Sequence, residues 1–518
     1  MVLNQKFLSK IFSEEGLSNK AKLNAIAAVV DYTARLAVGF VINPLLVTGL
    51  GDFAYGTWQV LGRLIGYISP ASGRPSQALK WTIANQQGSV DYQEKRRLVG
   101  SAVTVWLIFV PILAVLGGIL VYFVPLWLDT PAEFFSTVRL ATALLVVNLI
   151  MISLADLPRS VLVGENLEYK RMGLSAGLVI VGGGLTALAL YSSSGLVGVA
   201  AATLSTTLLT GLLFFRIMRS HVPWFGISRP SSQMVRQFTR LSGWFLLWNL
   251  VMQVMRGSDV VVLGAIDSVE QVTVYTLSKY VPETIISIVA MIVFGITPGL
   301  GAIIGTGNHR KAIAVRSEIT IYTWLLAVTA GVAVLLWNES FLQLWVGTGY
   351  YVGAFASLMI VIMMLQFVLI RNDASIIDLT LKLRHKVMLG LISAGVAAAL
   401  AAFFVGPLET GIAGLCFGII VGRSILSVAY PWLIGRRFGF PIFAQAKSSI
   451  RPALVTIFLF GFSLGVSSKL AANNWFSLVI SGLLTASAAL IIAFVAGLTR
   501  GQQSLIFNRT RALVSSRL

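Results

Sequence analysis

The chain has 518 residues, of which 56% are hydrophobic and 11% are charged, and its mean hydropathy is +0.84. Soluble domains carry about 25% charged residues, so this composition excludes a water-soluble globular protein. The net charge of +19 is a value typical of nucleic-acid-binding proteins. Here, however, the bases lie in alternate loops between apolar segments, and that distribution excludes nucleic acid as a partner.

Apolar runs of about 20 residues recur along the whole chain, and a helix of that length spans about 30 Å of hydrocarbon. The sequence therefore predicts an all-α polytopic membrane protein. We predict fourteen transmembrane helices, near residues 24–49, 53–72, 99–124, 138–158, 172–191, 196–217, 241–264, 272–303, 317–337, 352–371, 387–405, 411–433, 452–468 and 476–498.

Every second connection between these spans is rich in Lys and Arg. The basic connections include those with Lys80, Lys95, Arg96 and Arg97, with Arg310, Lys311 and Arg316, and with Lys382, Arg384 and Lys386. The intervening loops are mainly acidic, as at Asp129, Glu339 and Glu409. The positive-inside rule then places both termini in the cytoplasm, which requires an even number of spans, and it leaves the basic loops in contact with anionic lipids.

A weak internal repeat divides the chain. Leu50-Gly51-Asp52, Trp58 and Arg63 are echoed by Leu263-Gly264, Asp267, Tyr275 and Lys279, which indicates two six-helix bundles of parallel topology followed by two further helices. The predicted organisation is a cytoplasmic or interfacial segment (1–23), a first bundle (24–218), a cytoplasmic connector (219–240), a second bundle (241–433), a cytoplasmic loop (434–451), two additional helices (452–498) and a basic cytoplasmic tail (499–518).

Breakers mark two corresponding places in the repeat. Pro70, Gly73 and Pro75 follow the second span, and Pro298, Gly299 and Gly301 lie in the eighth, where they either kink or terminate the helix. A third pattern is the repeat of Gly414, Gly418 and Gly422 along the twelfth span. This spacing gives one flat helix face and predicts close packing against a neighbouring helix.

Residues 50–58 (Leu-Gly-Asp-Phe-Ala-Tyr-Gly-Thr-Trp) resemble the signature that opens the second helix of bacterial polysaccharide repeat-unit flippases. These flippases belong to the multidrug/oligosaccharidyl-lipid/polysaccharide exporter superfamily. Asp259, Leu263-Gly264, Tyr275 and Thr297-Pro298 resemble the corresponding stretch of the second bundle, so that the resemblance covers about residues 24–433. The run from Pro70 to Pro75 departs from the family, which more often has a Gly-rich turn there.

The resemblance implies a transporter, not an enzyme, that turns undecaprenyl-diphosphate-linked oligosaccharide across the bacterial inner membrane by alternating access. It implies no cofactor and no metal. Polysaccharide polymerase and glycosyltransferases of the same pathway are the implied protein partners. In this superfamily helices one, two, seven and eight line the transport cavity, and here these helices carry four bases, Arg35, Arg63, Arg256 and Lys279.

A charged side chain at the bilayer centre costs about 3 kcal/mol on insertion scales, so each base needs an explanation. Three of them have a carboxylate within reach on their own helix, in the pairs Asp31–Arg35, Arg256–Asp259 and Lys279–Glu283. These bases are therefore either compensated locally or directed at a substrate anion. Arg63 has no acid within four residues and lies about 15 Å from the outer end of its span.

The candidate substrate-binding residues are therefore Arg63 first, with Arg35, Arg256 and Lys279 as conditional partners and Arg423 as a second-rank candidate. Asp31 and Asp259 are the candidate coupling-ion residues, because a buried carboxylate changes its charge when a cation binds. Two alternatives remain: a cation-coupled multidrug exporter of the same fold, and a membrane glycan polymerase or ligase. The short outer loops disfavour the second alternative.

Overall fold

The computed structural model describes residues 17–73, 75–86, 89–165, 167, 173–230, 232–291, 309–379 and 383–515. Every secondary-structure element in these ranges is a helix, and the predicted all-α polytopic membrane fold is confirmed. Residues 1–16 of the predicted interfacial segment lie outside the described residues, as does the predicted break at Pro298, Gly299 and Gly301.

The chain forms two compact units, Met1–Gly257 and Ser258–Leu518. The helices of the first unit are α1 (Leu17–Ile68), α2 (Pro75–Asn85), α3 (Tyr92–Trp127), α4 (Phe135–Gly164), α5 (Leu174–Tyr191) and α6 (Gly195–His221), and helix α7 (Ser232–Ile266) continues into the second. The division thus falls inside α7. The predicted connector at 219–240 stays a prediction. The division into two six-helix bundles stays a prediction.

In its described residues the second unit contains the end of α7 and nine further helices. They are α8 (Val269–Ser278), α9 (Tyr280–Met291), α10 (His309–Trp345), α11 (Ala354–Leu379), α12 (Leu383–Val405), α13 (Gly411–Phe438), α14 (Ile442–Ser467), α15 (Trp475–Ile492) and α16 (Arg500–Ser515). A short π-helical turn, Ala493–Gly497, joins α15 to the segment that leads into α16.

Twelve described helices are long and apolar enough to cross a membrane. The first candidate span, Val29–Ser72, has 44 residues, about twice what one crossing requires. Gly51 breaks it, because its backbone has φ 75° and ψ 169°, and this break lies at the predicted boundary between the first two spans. The total of fourteen spans stays a prediction, since α9 is shorter and residues 292–308 are not described.

The second arm of α1 ends in a 3₁₀ turn, Ser69–Ser72, followed by Gly73 at φ 69°. A side chain at this position would clash, because a Cβ on Gly73 would lie 2.5 Å from Cδ2 of Phe109. Pro75 then begins α2, where its missing N–H costs nothing. The breakers therefore terminate the helix at this place, and the sequence analysis missed α2.

A buried ion pair joins α3 to the end of α4 in the first unit. Nζ of Lys95 lies 2.8 Å from Oε1 of Glu165, and the Lys95 side chain is only 2% exposed. Nε1 of Trp224 donates a second hydrogen bond to the same oxygen at 3.1 Å, and the ammonium lies 5.3 Å from the centre of the Trp224 ring. We call Lys95, Glu165 and Trp224 the first clamp.

An equivalent arrangement joins α10 to α11 in the second unit. Arg316 forms a bidentate pair with Asp373, with nitrogen–oxygen distances of 2.8 and 2.9 Å. Its remaining Nη1 donates to Oε1 of Gln445 at 2.9 Å. We call Arg316, Asp373 and Gln445 the second clamp. A third pair, Lys386–Asp378, buries the Lys386 side chain completely.

These pairs correct one expectation from the sequence. The bases Lys95, Arg316 and Lys386 belong to the basic connections that were expected to contact anionic lipids, yet each is held by a carboxylate of its own unit. A buried base that loses its carboxylate is left as an uncompensated charge, which costs several kcal/mol. These residues therefore stabilise the packing of each unit.

The predicted glycine face on the twelfth span is confirmed. A Cβ on Gly418 would lie 2.7 Å from the backbone nitrogen of Ala401, and a Cβ on Gly422 would lie 2.3 Å from Cα of Ala397. Helices α12 and α13 therefore pack with their backbones in close contact, as small residues allow.

Replacing Glu165 by Ala is expected to destabilise the protein by about 3 kcal/mol, because the buried Lys95 ammonium loses its carboxylate. Denaturant or thermal unfolding of the purified protein in detergent, followed by tryptophan fluorescence, measures this loss. Asp156→Ala is a matched control, since its ion pair with Arg159 is 4.0 Å long and both side chains are at least 39% exposed. We expect less than about 1 kcal/mol there, and an equal loss in both variants would contradict the role of the clamp.

Accessibility labelling tests the topology. Glu409 follows α12 and Lys447 lies near the start of α14, and both are exposed. The single native thiol, Cys416, is buried, so the parent chain provides the unlabelled control. A membrane-impermeant thiol reagent added to intact cells should label Glu409→Cys, whereas Lys447→Cys should react only after the cells are opened. The reverse pattern would overturn the predicted orientation.

Candidate functional site

The five candidate bases fall into two groups that belong to different units. Arg35, Arg63 and Arg256 lie in the first unit, and Lys279 and Arg423 lie in the second. Their environments differ as well: Arg35 and Arg256 are exposed and Arg63 is half-buried, whereas Lys279 and Arg423 are only 6% and 5% exposed. The two groups are therefore considered separately.

Arg63 contacts a neighbouring helix of the first unit. Its Nη1 donates to the backbone carbonyl oxygen of Arg256 at 3.4 Å, which brings the second arm of α1 beside α7. The residue after Arg256 is Gly257, and a Cβ there would lie 3.2 Å from Cδ of Arg63 and 3.4 Å from Cε1 of Tyr67. Glycine at this position therefore leaves the room that the Arg63 side chain occupies, and two arginines become neighbours.

Local compensation is not observed for the exposed arginines. Asp31 is buried, at 3% exposure, while Arg35 on the same helix is exposed, and no ion pair joins them in the described part of the chain. Arg256 likewise forms no ion pair with Asp259 among the described residues. The two self-compensating pairs considered from the sequence are therefore wrong for Arg35 and Arg256.

A buried ionic cluster lies in the second unit around Asp259, which is 2% exposed. Oδ2 of Asp259 accepts a hydrogen bond from the Tyr275 hydroxyl at 2.7 Å and contacts the ammonium of Lys279. Oδ1 accepts a bond from the backbone N–H of Val260 at 2.9 Å. Lys279, which links α8 to α9, also lies 3.0 Å from Oε1 of Glu283, so the predicted Lys279–Glu283 pair is confirmed.

Arg423 reaches this cluster from α13. Its guanidinium carbon lies 5.1 Å from the centre of the Phe367 ring, and its charge interacts with that of Asp259. The side chains of Lys279 and Arg423 contribute two positive charges, and Asp259 and Glu283 contribute two negative ones. Because these charges balance, the cluster is electrically neutral when all four groups are ionised.

The sequence analysis did not single out Arg371. This side chain is half-buried in a cleft of the second unit between α9 and α11. The cleft is lined by Ile286, Val289, Val368, Arg371, Asn372 and Ser375. No signal in the sequence separated Arg371 from the bases of the loops, because it lies where the tenth span was expected to end.

Metal binding was also considered. Among the described residues, no group of three or more His, Cys, Asp or Glu side chains is placed to hold a metal ion.

A double-mutant cycle tests which carboxylate compensates Lys279. Lys279→Met with Asp259→Leu should show a coupling energy of about 2 kcal/mol, because the two groups are in direct contact and buried. Lys279→Met with Glu283→Leu should couple by less than about 1 kcal/mol, since the Glu283 side chain is 40% exposed. Unfolding in detergent gives both values, and a larger coupling with Glu283 would contradict the central place of Asp259.

Comparison with known proteins gives the fold. No model of a protein family matches this sequence, and no curated protein is significantly similar to it. Among solved structures, the inward-facing conformation of a multidrug resistance MATE family transporter of the MOP superfamily has a TM-score of 0.63 at 15% identity, over 79% of this chain and 98% of that one. The outward-facing conformation of such a transporter has a TM-score of 0.56 at 15% identity, over 83% and 97%.

A third similar structure is a MOP superfamily transporter from Pyrococcus furiosus, described as having a binding pocket of reverse polarity that suggests a different function. Its TM-score is 0.55 at 15% identity, over 81% of this chain and 96% of that one. The superfamily expected from the sequence is therefore the one to which these structures belong, whereas the flippase family stays a prediction. The chain has the helical fold of MATE transporters of the MOP superfamily.

Proposed function

We propose that this chain is a flippase of the bacterial inner membrane that translocates undecaprenyl-diphosphate-linked oligosaccharide repeat units by alternating access. The fold supports a membrane transporter, since the similar structures include inward-facing and outward-facing conformations of one transporter family. The choice of an anionic lipid-linked substrate depends on the charges of the first unit.

The observation that carries the proposal is the contact between Arg63 and Arg256. A hydrogen bond to the Arg256 carbonyl holds the Arg63 guanidinium, and the side chain of Arg256 itself is exposed. Both residues lie within apolar candidate spans, Val29–Ser72 and Asn249–Ile266. Two arginines on contacting helices within such segments are therefore placed where both could bind one anionic ligand.

The diphosphate group of the proposed substrate fits this requirement. It carries negative charge that must be compensated when it leaves water, and a guanidinium donates two parallel hydrogen bonds to phosphate oxygens. The third candidate arginine of the unit, Arg35, is also exposed within a candidate span. We propose Arg63, Arg256 and Arg35 as the residues that bind the diphosphate.

Lys279 and Arg423 have a different role in this proposal. Lys279 is already compensated by two carboxylates, so it is a weaker candidate for an anion than the sequence indicated. The buried carboxylates Asp31 and Asp259 remain the proposed coupling-ion residues. Protonation or cation binding at Asp259 would remove the negative charge that holds Tyr275 and Lys279, and would thereby couple an ion to the packing of α7 against α8.

The alternative function is export of organic cations. The same two buried carboxylates, Asp31 and Asp259, support this alternative. Multidrug resistance transporters are among the similar structures. A cavity for cations should be acidic, yet the candidate spans that carry Asp31 and Asp259 also carry Arg35, Arg63 and Arg256. A glycan polymerase or ligase is supported less, since the similar structures are transporters.

Glycosyltransferases and a polymerase of the same pathway are the proposed partners.

Binding of the lipid-linked substrate tests the proposal. Arg63→Gln should weaken binding of undecaprenyl-diphosphate-linked oligosaccharide about 10-fold or more, because a charge-assisted hydrogen bond contributes about 1.5–3 kcal/mol. Native mass spectrometry of the purified protein measures the affinity, and surface polysaccharide in a deletion strain complemented with each variant reports transport. Arg159→Gln is the matched control, since Arg159 is half-buried, as Arg63 is, and pairs with Asp156.

Unchanged affinity and normal surface polysaccharide in Arg63→Gln, at normal expression, would refute the assigned role. The exporter alternative makes the opposite prediction. In that case deletion of the gene should sensitise cells to cationic dyes and leave the polysaccharide unchanged.

A further inference from the structure

The C-terminal helix α16 is fixed to the end of α15 by side chains that bind backbone carbonyls. Nε2 of Gln503 donates to the carbonyl oxygens of Phe494 and Val495 at 3.0 and 3.1 Å. From α14, Nε of Arg451 donates to the carbonyl oxygen of Ala496 at 2.6 Å. These bonds satisfy carbonyls of the π-helical turn, and they fix the place where α16 leaves the last candidate span.

The start of α16 is also fixed by a reciprocal cap. The backbone N–H of Thr499 donates to Oε1 of Gln502 at 2.9 Å, and the backbone N–H of Gln502 donates to the Thr499 hydroxyl at 3.4 Å. Thr at the N-cap with Gln three residues later is the capping box that begins a helix in the sequence. Helix α16 is thus a separate helix of 16 residues with its own start.

The surface of α16 carries apolar side chains that the rest of its unit does not cover. Phe507 is 67% exposed and Leu505 is 36% exposed, although both lie beyond the last candidate span, which ends at Gly497. Along residues 499–518 the sequence has four arginines, Arg500, Arg509, Arg511 and Arg517, and no acidic residue. An exposed aromatic ring on a purely basic segment requires a partner that is both apolar and anionic.

The angles of the residues around the helix axis show how the apolar and the basic positions of α16 are distributed. At about 100° per residue, positions 506, 507, 513 and 514, which hold Ile, Phe, Leu and Val, share a sector of about 120°. Gln503 and Thr510 also fall in this sector, and Leu505 falls outside it. Arg509 falls on one side of this sector, and Arg500 and Arg511 fall on the other. This is the pattern of a helix that lies in a membrane interface, with arginines extending to the headgroups on both sides of an apolar strip.

We propose that α16 lies in the plane of the membrane surface and binds acidic phospholipid headgroups, with Phe507 inserted at the level of the upper acyl chains. Charge complementarity selects this partner over a zwitterionic surface, because arginines near an anionic surface are attracted to it. The site is separate from the arginines proposed to bind the transported lipid, and the inference does not depend on the proposed function.

Spin labels on the full-length protein test the proposal. The parent chain has one buried thiol, Cys416, so Phe507→Cys and Asn508→Cys each introduce a single reactive position. The labelled proteins are placed in nanodiscs of phosphatidylcholine alone or with phosphatidylglycerol, and the accessibility of the nitroxide to oxygen and to a water-soluble nickel complex is measured. Asn508 lies outside the apolar sector and serves as the matched control.

With phosphatidylglycerol, the label at position 507 should be several-fold more accessible to oxygen than to nickel, and the label at 508 should show the reverse. Substituting Gln for Arg509 and Arg511 together should return the 507 label to water. Accessibility to nickel at both positions would overturn the proposal, as would a 507 label shielded from both reagents, which would indicate a protein partner. Equal insertion in both nanodisc compositions would refute the role of acidic headgroups.

Discussion

The structure depends on one constraint, which is the cost of leaving a charge without a partner in a segment that water does not reach. Lys95, Arg316 and Lys386 meet it with carboxylates of their own unit. Each of these pairs joins helices that follow one another, and the paired residues lie 70 positions apart for Lys95–Glu165 and 57 for Arg316–Asp373. In lipid no hydrophobic force drives apolar helices together, because the lipid chains are as apolar as the helix surfaces. Ion pairs of this kind therefore fix the relative position of helices that apolar packing alone leaves less defined.

The two clamps also show the duplication more clearly than the sequence does. Lys95 corresponds to Arg316, Glu165 to Asp373 and Trp224 to Gln445, at separations close to that of the repeat. The residue types differ in every case, while the pairing of a base with an acid is kept. The third residue donates to the acid in the first clamp and accepts from the base in the second. An alignment of the two halves shows little similarity at these positions, because several kinds of side chain can form such a clamp.

The sequence predicted the helical membrane fold, the break at Gly51 and the glycine face at Gly418 and Gly422, since these follow from local composition and spacing. It identified the bases of the site but assigned their partners by helical spacing alone. That rule succeeded for Lys279 with Glu283, and it failed for Arg256, whose expected partner Asp259 pairs with Lys279 on the next helix. Contacts between helices depend on rotation and register, which spacing within one helix does not determine. The helix α2 was missed because its polar sequence resembles that of a loop.

The two units differ in the groups that contact their candidate bases. In the second unit Asp259 and Glu283 balance Lys279 and Arg423, so that its cluster holds its own charge without a ligand. In the first unit Arg63 is held by a carbonyl oxygen, which carries only a partial charge, and the neighbouring Arg256 side chain is exposed. The Arg256 carbonyl orients the Arg63 guanidinium within apolar candidate spans. A guanidinium donates parallel hydrogen bonds to phosphate oxygens, and for this reason the proposed function places the diphosphate of the lipid-linked substrate in the first unit.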